Sequence, residues 1–294
     1  MKTKERKLVT VYAPAAQSGF LGNGHTARPV IQVDFRQSDP FILLMDDLLE
    51  KDDYTPAGGP HPHGGFETVS LLLEGDLGDG ADGLHAGDFE MMTAGRGIVH
   101  TEVISHPTRM RLLQLWLNLP KADRRAEPRL QRLRKDAAPI MRAKGVTARV
   151  YSGSLAGVTS PVRNYTPLIV ADVKLEADSS WLFELPANYT AFIYTLEGIV
   201  HVGNEKLSTG RVGWLDRSST SDLSQVNLRS EEGGARFVIY AALPTGDEIV
   251  THGPFVADTP EDIRQLYADY RAGKMQHITE VDAAQKIVNQ TLRL

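Results

Sequence analysis

The sequence predicts an all-β fold made of two similar barrels, with a short helix near the C-terminus. Short runs rich in β-branched and apolar residues recur along the chain. Clusters of Gly, Pro, Asp and Asn separate them at roughly 8–12-residue intervals, as in sandwiches and barrels. The predicted strands include Val30–Phe35, Phe41–Met45, Thr68–Leu73, Met110–Leu117, Leu168–Leu175, Ala191–Leu196 and Arg236–Ala241.

A repeated pattern indicates that the two barrels are copies of one unit. Two apolar runs end in the same Leu-Glu-Gly motif, at Leu73–Gly75 and at Leu196–Gly198. Each motif is followed by a stretch ending in Ala86-Gly87 or Thr209-Gly210, and then by a new predicted strand. We therefore expect an N-terminal barrel over residues 1–120, a connecting segment over 121–165, and a C-terminal barrel plus a helical tail over 166–294.

One C-terminal helix has clear start and stop signals. Thr259 can serve as the N-cap, Pro260 suits the first helical position, and Gly273 suits the residue after the C-cap. An apolar stripe lies between them at helical spacing: Ile263, Leu266, Tyr267 and Tyr270. A second helix is expected from Val281 to about Leu292. Both helices are expected to pack against a barrel.

Composition excludes several classes of site and partner. The 294 residues include no cysteine, so any metal must be held by His, Asp or Glu. The formal net charge of −5 gives no general reason to bind nucleic acid or an anionic membrane. No apolar run approaches the roughly 20 residues needed to span a bilayer, and no secretory signal is visible. The sequence therefore predicts a cytoplasmic protein with no nucleic-acid and no membrane partner.

One segment departs from this charge balance. Lys121–Arg149 contains ten Lys and Arg residues against three Asp and Glu. No aromatic residues interleave with these charges, as they would in a platform for single-stranded nucleic acid. We interpret the segment as a solvated surface connection between the barrels, the alternative being a patch for an acidic partner.

The strongest chemical signal is a pair of short motifs that contain histidine. His61 and His63 are two residues apart, as are His100 and Glu102, so each pair would point to one face of a strand. Together they offer three imidazoles and one carboxylate, a set that suits Fe(II), Mn(II), Ni(II), Cu(II) or Zn(II). Glu67 competes for the role of carboxylate ligand, and spacing alone does not choose between it and Glu102.

Three stretches around these motifs resemble the signature of the pirin family. They are His61-Pro62-His63-Gly64-Gly65-Phe66-Glu67-Thr68-Val69, then Leu73-Glu74-Gly75, then Met92-Thr93-Ala94-Gly95-Arg96-Gly97-Ile98-Val99-His100-Thr101-Glu102. Gln114–Pro120 is similar to the strand that follows in pirins, and Gly253–Val256 with the Thr259–Gly273 helix resembles their C-terminal block. The resemblance covers most of residues 8–276.

The resemblance implies two cupin (jelly-roll) barrels packed face to face, with iron in the N-terminal barrel only. It implies the ligands His61, His63, His100 and Glu102, and so selects Glu102 over Glu67. For several members it implies quercetin 2,3-dioxygenase activity, with a flavonol and O₂ as substrates. Other members are partners of regulatory proteins, with the redox state of iron as a switch.

We therefore predict an iron-dependent dioxygenase that opens a flavonol such as quercetin with O₂ and releases CO, with Glu102 as the catalytic proton acceptor. The alternative is an iron-binding, redox-sensitive module that binds a regulatory protein partner. Two departures from the family leave the ligands intact and bear on the substrate. Gly64 stands where pirins commonly have Arg, and the loop Asp76–Gly83 is shorter than theirs and lacks their His-x-Asp-Ser stretch.

Overall fold

Strands dominate the computed structural model, which describes residues 4–78 and 83–291. The described strands are β1 (Lys4–Glu5), β2 (Leu8–Tyr12), β3 (Gln17–Ser18), β4 (His25–Pro29), β5 (Phe41–Lys51), β6 (Ala57–His63), β7 (Phe66–Glu74), β8 (Asp76–Leu77), β9 (Leu84–His85), β10 (Phe89–Thr93), β11 (Ile98–Ile104), β12 (Thr108–Asn118), β13 (Arg129–Leu133), β14 (Ile140–Ala143), β15 (Val146–Ser152), β16 (Ser154–Leu155), β17 (Val158–Thr159), β18 (Leu168–Leu175), β19 (Ser180–Pro186), β20 (Thr190–Val202), β21 (Glu205–Ser208), β22 (Val212–Leu215), β23 (Leu223–Ala242), β24 (Val250–His252), β25 (Phe255–Ala257) and β26 (Lys286–Asn289). The α-helices are α1 (Phe35–Ser38) and α2 (Pro260–Arg271). The predicted all-β class is confirmed.

The chain folds into two compact units, each assembled from several stretches of sequence. The first unit contains Ala15–Phe35, Pro40–Ala137 and the chain from Thr245 on. The second unit contains the chain up to Pro14, Arg36–Asp39 and Ala138–Pro244. The sequence predicts contiguous domains with boundaries at 120 and 165. In the structure, strand pairing instead places the N-terminal stretch in the second unit and the C-terminal stretch in the first. β2 pairs with β22 of the second unit, and β26 pairs with β13 of the first.

The two units repeat one strand order. The main sheet of the first unit runs β26-β13-β10-β7-β12-β5-β4-β3, and that of the second runs β14-β15-β18-β23-β20-β22-β2. Within them, β10-β7-β12-β5 corresponds to β22-β20-β23-β18. The repeated sequence motif occupies equivalent places: the Gly87 N–H donates to the Leu72 carbonyl at 2.7 Å, and the Gly210 N–H donates to the Thr195 carbonyl at 2.8 Å. The structure thus supports the two copies expected from the sequence.

Each unit has its own apolar core. In the second unit, alternate residues of β18, β19, β20 and β23 turn inward and form one large buried cluster that includes Trp181, Phe183 and Phe237. In the first unit, Leu49, Leu72 and Leu112 belong to a smaller cluster of buried residues. Burial of these side chains, at roughly 1.5–3 kcal/mol each, supplies the main stabilisation of each unit.

One predicted strand is absent, and the others are found. The runs predicted from residue 41 onward lie inside β5, β7, β12, β18, β20 and β23. The run Val30–Phe35 is not a strand, because β4 ends at Pro29 and α1 begins at Phe35. Val30 is fully buried and its N–H donates to the Leu44 carbonyl at 2.7 Å, so its apolar side chain is part of the core beyond the end of β4.

The basic segment Lys121–Arg149 is structured, and its charges are paired. It begins with a 3₁₀ turn at Lys121–Asp123 and then forms β13, β14 and most of β15, so it is not simply a connection between barrels. Five of its arginines contact carboxylates: Arg124 with Asp258, Arg125 with Asp262, Arg129 with Glu67, Arg132 with Glu90 and Arg134 with Asp88. Much of the local positive charge is therefore neutralised within the first unit.

The C-terminal region contains the first predicted helix but not the second. α2 starts and stops as predicted, with the Thr259 hydroxyl accepting a hydrogen bond from the Asp262 N–H. The helix predicted from Val281 is wrong: the chain forms 3₁₀ turns at Ile278–Glu280 and Ala283–Gln285 and then β26. The end of that prediction, Leu292, lies outside the described residues. Pairing of β26 with β13 stabilises an extended tail, whereas a short helix is only marginally stable by itself.

Within residues 4–78 and 83–291, no helix is long and apolar enough to cross a bilayer.

Candidate metal centre

Two antiparallel strands carry all four predicted ligands on one face. β6 pairs with β11 so that His61 lies opposite His100, His63 opposite Ile98, and Gly59 opposite Glu102. Because side chains alternate along a strand, each His-x-His or His-x-Glu pair points to the same side of this ribbon. The cross-strand register therefore explains why motifs 39 residues apart meet at one place.

Three of the four predicted residues converge closely enough to share a metal. His61, His63 and His100 each offer a ring nitrogen, and these atoms lie within 4.8 Å of one another. The Nε2 atoms of His61 and His100 are 2.7 Å apart. The ring of His63 packs edge-on against His61, with centroids 4.9 Å apart. This group is the only cluster of its kind among the residues that the structure describes.

The hydrogen bonding of His61 suits a metal ligand. Its Nδ1 lies 2.9 Å from the backbone carbonyl of Gly59. A carbonyl can only accept, so Nδ1 carries the proton and Nε2 keeps its lone pair. A carbonyl behind the imidazole is the usual means of orienting a histidine towards a metal. The three-imidazole set therefore fits a divalent transition metal.

The electrostatics of the site favour neutral imidazoles. Burial, reinforced by the neighbouring His61, lowers the pKa of His63 to about 3. Burial, followed by the charges of His63 and His61, places the pKa of His100 well below its ordinary value. Both rings are therefore neutral at pH 7, and their lone pairs are available to a metal without displacing a proton.

Glu102 lies beside the imidazole cluster without joining it. The residue is partly buried and lines the same cavity, but its carboxylate is outside the group of atoms within 4.8 Å. Burial raises the pKa of Glu102 to about 7, and the charges of Glu90 and Asp47 add to this effect. In the metal-free protein the carboxyl is thus close to half-protonated at neutral pH.

Glu67, the competing carboxylate, faces a different environment. Its side chain is fully buried, accepts a hydrogen bond from the Thr93 hydroxyl at 2.6 Å and lies 3.7 Å from an Arg129 nitrogen. β6 ends at His63 and β7 begins at Phe66, with Gly65 between them at a φ of +88°. This left-handed residue, which favours glycine, breaks the alternation that would have placed Glu67 with the histidines.

The histidines open into a cavity of about 620 Å³ inside the first unit. Its walls are mainly apolar and come from alternate residues of β5, β12 and neighbouring segments. The lining consists of Phe20, Leu21, His25, Leu43, Met45, Asp47, Gly58, Gly59, Pro60, His61, His63, Leu77, His100, Glu102, Ile104, Met110, Leu112, Gln114 and Trp116. An apolar cavity with few polar groups is typical of a small-molecule site.

Trp116 and Phe20 supply the aromatic surface of this cavity. Trp116 packs edge-on against His63, with ring centroids 5.4 Å apart, and Phe20 is 83% exposed. The sequence analysis did not single out either residue. The apolar residues nearest the metal motif, such as Phe66 and Phe89, are instead fully buried core. The alternation of β12 would have shown that Gln114 and Trp116 share a face, but not which face.

The C-terminal segment supports the strand that carries His100. The Val99 N–H donates to the Gln276 carbonyl at 3.0 Å, and the Thr101 hydroxyl lies 2.9 Å from Nε2 of His277. His277 also caps the 3₁₀ turn at Ile278–Glu280. Its position 176 residues after Thr101 explains why no sequence spacing could reveal this contact.

Of the two departures from the pirin pattern, the loop Asp76–Gly83 contributes to this cavity and Gly64 lies outside its lining. The carbonyl of Gly64 accepts a hydrogen bond from the Val256 N–H at 2.9 Å, so it lies against β25. The loop Asp76–Gly83 starts with Asp76 and Leu77, which form β8, and Leu77 lines the cavity. Residues 79–82 of that loop lie outside the described part of the chain.

The second unit offers no comparable group in the part of the chain that the structure describes. Its histidine, His201, contacts Glu231 at 2.8 Å, and no cluster of three potential ligands includes it. The candidate metal centre of the described chain is thus confined to the first unit.

Family models of known proteins match sequence in both units. The family model described as Pirin matches residues 25–117, and the model for the Pirin C-terminal cupin domain matches residues 170–276. Pirin from Rattus norvegicus is 35% identical over 249 residues, which cover 80% of this chain and 84% of that protein. Pirin from Homo sapiens is also 35% identical, over 84% of this chain and 86% of that protein.

A solved structure shows the same architecture. Quercetin 2,3-dioxygenase from Acinetobacter baumannii superposes with a TM-score of 0.80 at 26% identity, covering 92% of this chain and 98% of that one. The all-β double cupin fold with a short C-terminal helix, expected from the sequence, is therefore confirmed. By sequence and by fold, the chain belongs to the pirin family.

Proposed function

We propose that this chain is an iron-dependent dioxygenase that opens a flavonol such as quercetin with O₂ and releases CO. The observation that carries the proposal is the convergence of three imidazoles at the wall of a mainly apolar cavity of about 620 Å³. This volume lies within the range of about 300–1,000 Å³ typical of small-molecule sites. Similarity to a quercetin 2,3-dioxygenase at 26% identity points to the same substrate class.

The proposed metal site consists of His61, His63, His100 and Glu102. Three imidazoles and one carboxylate suit Fe(II), and they also accept Mn(II), Ni(II), Cu(II) or Zn(II). A bound divalent metal would lower the pKa of a coordinated substrate hydroxyl and make the substrate electron-rich. The Gly59 carbonyl would hold the His61 ring in the tautomer that this role requires.

Glu102 is the proposed acceptor for the proton of the flavonol 3-hydroxyl. The support for this role is its position, since Glu102 lines the cavity beside the three imidazoles. Trp116 and the apolar residues of β5 and β12 would hold the flat ring system.

The reaction balances without an external reductant. One O₂ adds to one flavonol, the central ring opens, and one ring carbon leaves as CO. The remaining atoms stay in a single ring-opened ester, so the substrate itself is oxidised and O₂ is reduced. The expected stoichiometry is therefore one CO released for each O₂ consumed.

Oxygen uptake tests this proposal directly. Purified protein loaded with Fe(II) should consume O₂ when quercetin is added, and the metal-free protein should not. His100→Ala should abolish uptake while leaving the fold intact, because each barrel has its own apolar core. If loaded protein shows no flavonol-dependent uptake above the metal-free control, the dioxygenase proposal fails. Binding of a regulatory protein that depends on the redox state of iron would then favour the alternative function.

A further inference from the structure

A buried histidine and aspartate form a pair inside the candidate substrate cavity. His25 of β4 and Asp47 of β5 are diagonal neighbours on adjacent antiparallel strands. His25 Nε2 lies 3.0 Å from Asp47 Oδ1, and the two residues are 4% and 8% exposed. Both line the same cavity as the three histidines. Neither belongs to the proposed metal site.

The surrounding loop fixes the protonation of His25. The Leu21 N–H donates to His25 Nδ1 at 3.0 Å, so Nδ1 is an acceptor and cannot carry a proton. The proton of the neutral ring is therefore on Nε2, which donates it to Asp47. Gly19 lies so close to the ring that a Cβ on it would be 2.0 Å from Nδ1, and only glycine permits this approach. The loop is thus shaped around one orientation of His25.

Asp47 retains unused acceptor capacity within the cavity. Its Oδ1 accepts from His25, which uses one of the roughly four acceptor sites of a carboxylate, and the residue lines the cavity. The adjacent Asp46 provides a contrast, because alternation turns it to the other face of β5, where Arg111 donates to both of its oxygens at 2.9 Å. A carboxylate that lines an apolar cavity and has spare acceptor sites favours a ligand that donates a hydrogen bond.

We propose that Asp47, oriented by His25, is a specificity-determining residue that accepts a hydrogen bond from a ring hydroxyl of the substrate. The hydroxyl is one other than the 3-hydroxyl assigned to the metal and Glu102. The substrate class narrows accordingly, from any flavonol to flavonols that carry further free phenolic hydroxyls. The flavonol part of this inference depends on the proposed function, whereas the hydrogen bond can be tested by binding alone.

Few other side chains in the cavity wall could accept a hydrogen bond from such a hydroxyl. Gln114 also lines the cavity, but its Oε1 already accepts from the Ser70 hydroxyl at 3.1 Å. The rest of the wall outside the metal site is apolar or formed by backbone. A charged acceptor gives a shorter and stronger hydrogen bond than a neutral one, so Asp47 would dominate recognition of a hydroxyl.

Binding measured without oxygen tests the inference separately from catalysis. Dissociation constants of metal-loaded protein would be measured anaerobically for quercetin, kaempferol, galangin and 3-hydroxyflavone, which keep the 3-hydroxyl and lose the others stepwise. We expect 3-hydroxyflavone to bind at least about tenfold more weakly than the best hydroxylated flavonol. O-methylation of the recognised hydroxyl should cause a similar loss, since it removes the donor.

Substitutions test whether Asp47 causes the preference for the hydroxylated flavonol. Asp47→Asn should reduce the preference for the hydroxylated flavonol by about tenfold or more, whereas Asp46→Asn, the same change on the opposite face, should leave the preference intact. His25→Gln, which keeps a donor, should retain more of the preference than His25→Ala. Circular dichroism would check that each variant is folded.

Two results would overturn the inference. In the first, wild-type protein binds all four flavonols equally or binds none of them. In the second, the folded variants Asp47→Asn and His25→Ala keep the wild-type preference. Discrimination in binding without O₂ uptake would instead overturn only the proposed dioxygenase function.

Discussion

His61 and His100 lie directly opposite each other on paired antiparallel strands, with their Nε2 atoms 2.7 Å apart. The second nitrogen of His61 is occupied by the Gly59 carbonyl, so the facing nitrogen of that ring is free to bind a metal. With His63 alongside, this arrangement brings three imidazoles to one point. A divalent metal would take the place of the hydrogen bond between the two Nε2 atoms and bind both rings.

The first prediction concerns stoichiometry. We expect one transition metal per chain, because the described residues contain one cluster of three histidines. Elemental analysis after reconstitution should give a ratio near one for wild type and near zero for His100→Ala. His201→Ala is the control and should retain the metal, since His201 contacts Glu231 in the second unit. Two metals per chain, or loss of metal in His201→Ala, would refute this prediction.

The second prediction separates the two glutamates. Glu102→Gln should weaken metal binding by more than the roughly 10–100-fold loss typical of residues that only support a ligand. Glu67→Gln should leave metal affinity nearly unchanged and lower stability instead, because Glu67 is buried against Thr93 and Arg129. Metal titration and thermal melting of both variants would measure the two effects. A greater loss of metal in Glu67→Gln would show that the carboxylate is misassigned.

The third prediction is a pH dependence of metal binding. In the metal-free protein the pKa of Glu102 is about 7, and a metal must bind the ionised carboxylate. Below pH 7 the metal competes with a proton, so apparent affinity should fall by up to about tenfold per pH unit and level off above pH 7. His63, with a pKa of about 3, should contribute no step in this range. Glu102→Gln should remove the step; an unchanged profile in that variant would contradict the assignment.

The fourth prediction concerns the contact between the C-terminal segment and the metal strand. His277→Ala removes the hydrogen bond to Thr101 and the cap of the following 3₁₀ turn. We expect a loss of roughly 1–2 kcal/mol in the free energy of unfolding, with metal stoichiometry unchanged. Urea denaturation would measure the loss, with His106→Ala, a substitution at a half-buried histidine, as a control. Equal stability of the two variants would show that the contact contributes nothing.

The fifth prediction concerns the basic segment. Arg124, Arg125, Arg132 and Arg134 each contact a carboxylate, which leaves them poorly placed to bind phosphates. We expect no gel shift with duplex DNA or RNA at physiological ionic strength. A salt-sensitive shift that disappears when the four arginines are neutralised would overturn this prediction.

Local patterns account for what the sequence predicted well. Alternation along β6 and β11 is a local property, so pairing His61 with His63 and His100 with Glu102 was possible from spacing alone. The start of α2 follows from Thr259 and Pro260, whose capping roles depend only on neighbouring residues. The duplicated strand order was visible through the repeated Leu-Glu-Gly motif because both copies keep the same turn.

Features that depend on distant contacts were not visible. Alternation alone would place Glu67 on the same face as the histidines. Gly65, with its positive φ, breaks the strand between them. Val281 was expected to begin a helix, yet pairing of β26 with β13 decides the structure of the tail. The His25–Asp47 pair also depends on the pairing of β4 with β5, which no sequence motif predicts.

The most direct test of the account is to measure CO and O₂ together during turnover of quercetin. Fe(II)-loaded wild-type protein should release one CO for each O₂ consumed and yield a single ring-opened ester. His100→Ala, matched in protein concentration and shown to be folded, should do neither. Oxygen uptake without CO, or equal CO release by wild type and His100→Ala, would contradict the claim that the histidine cluster is the site of flavonol cleavage.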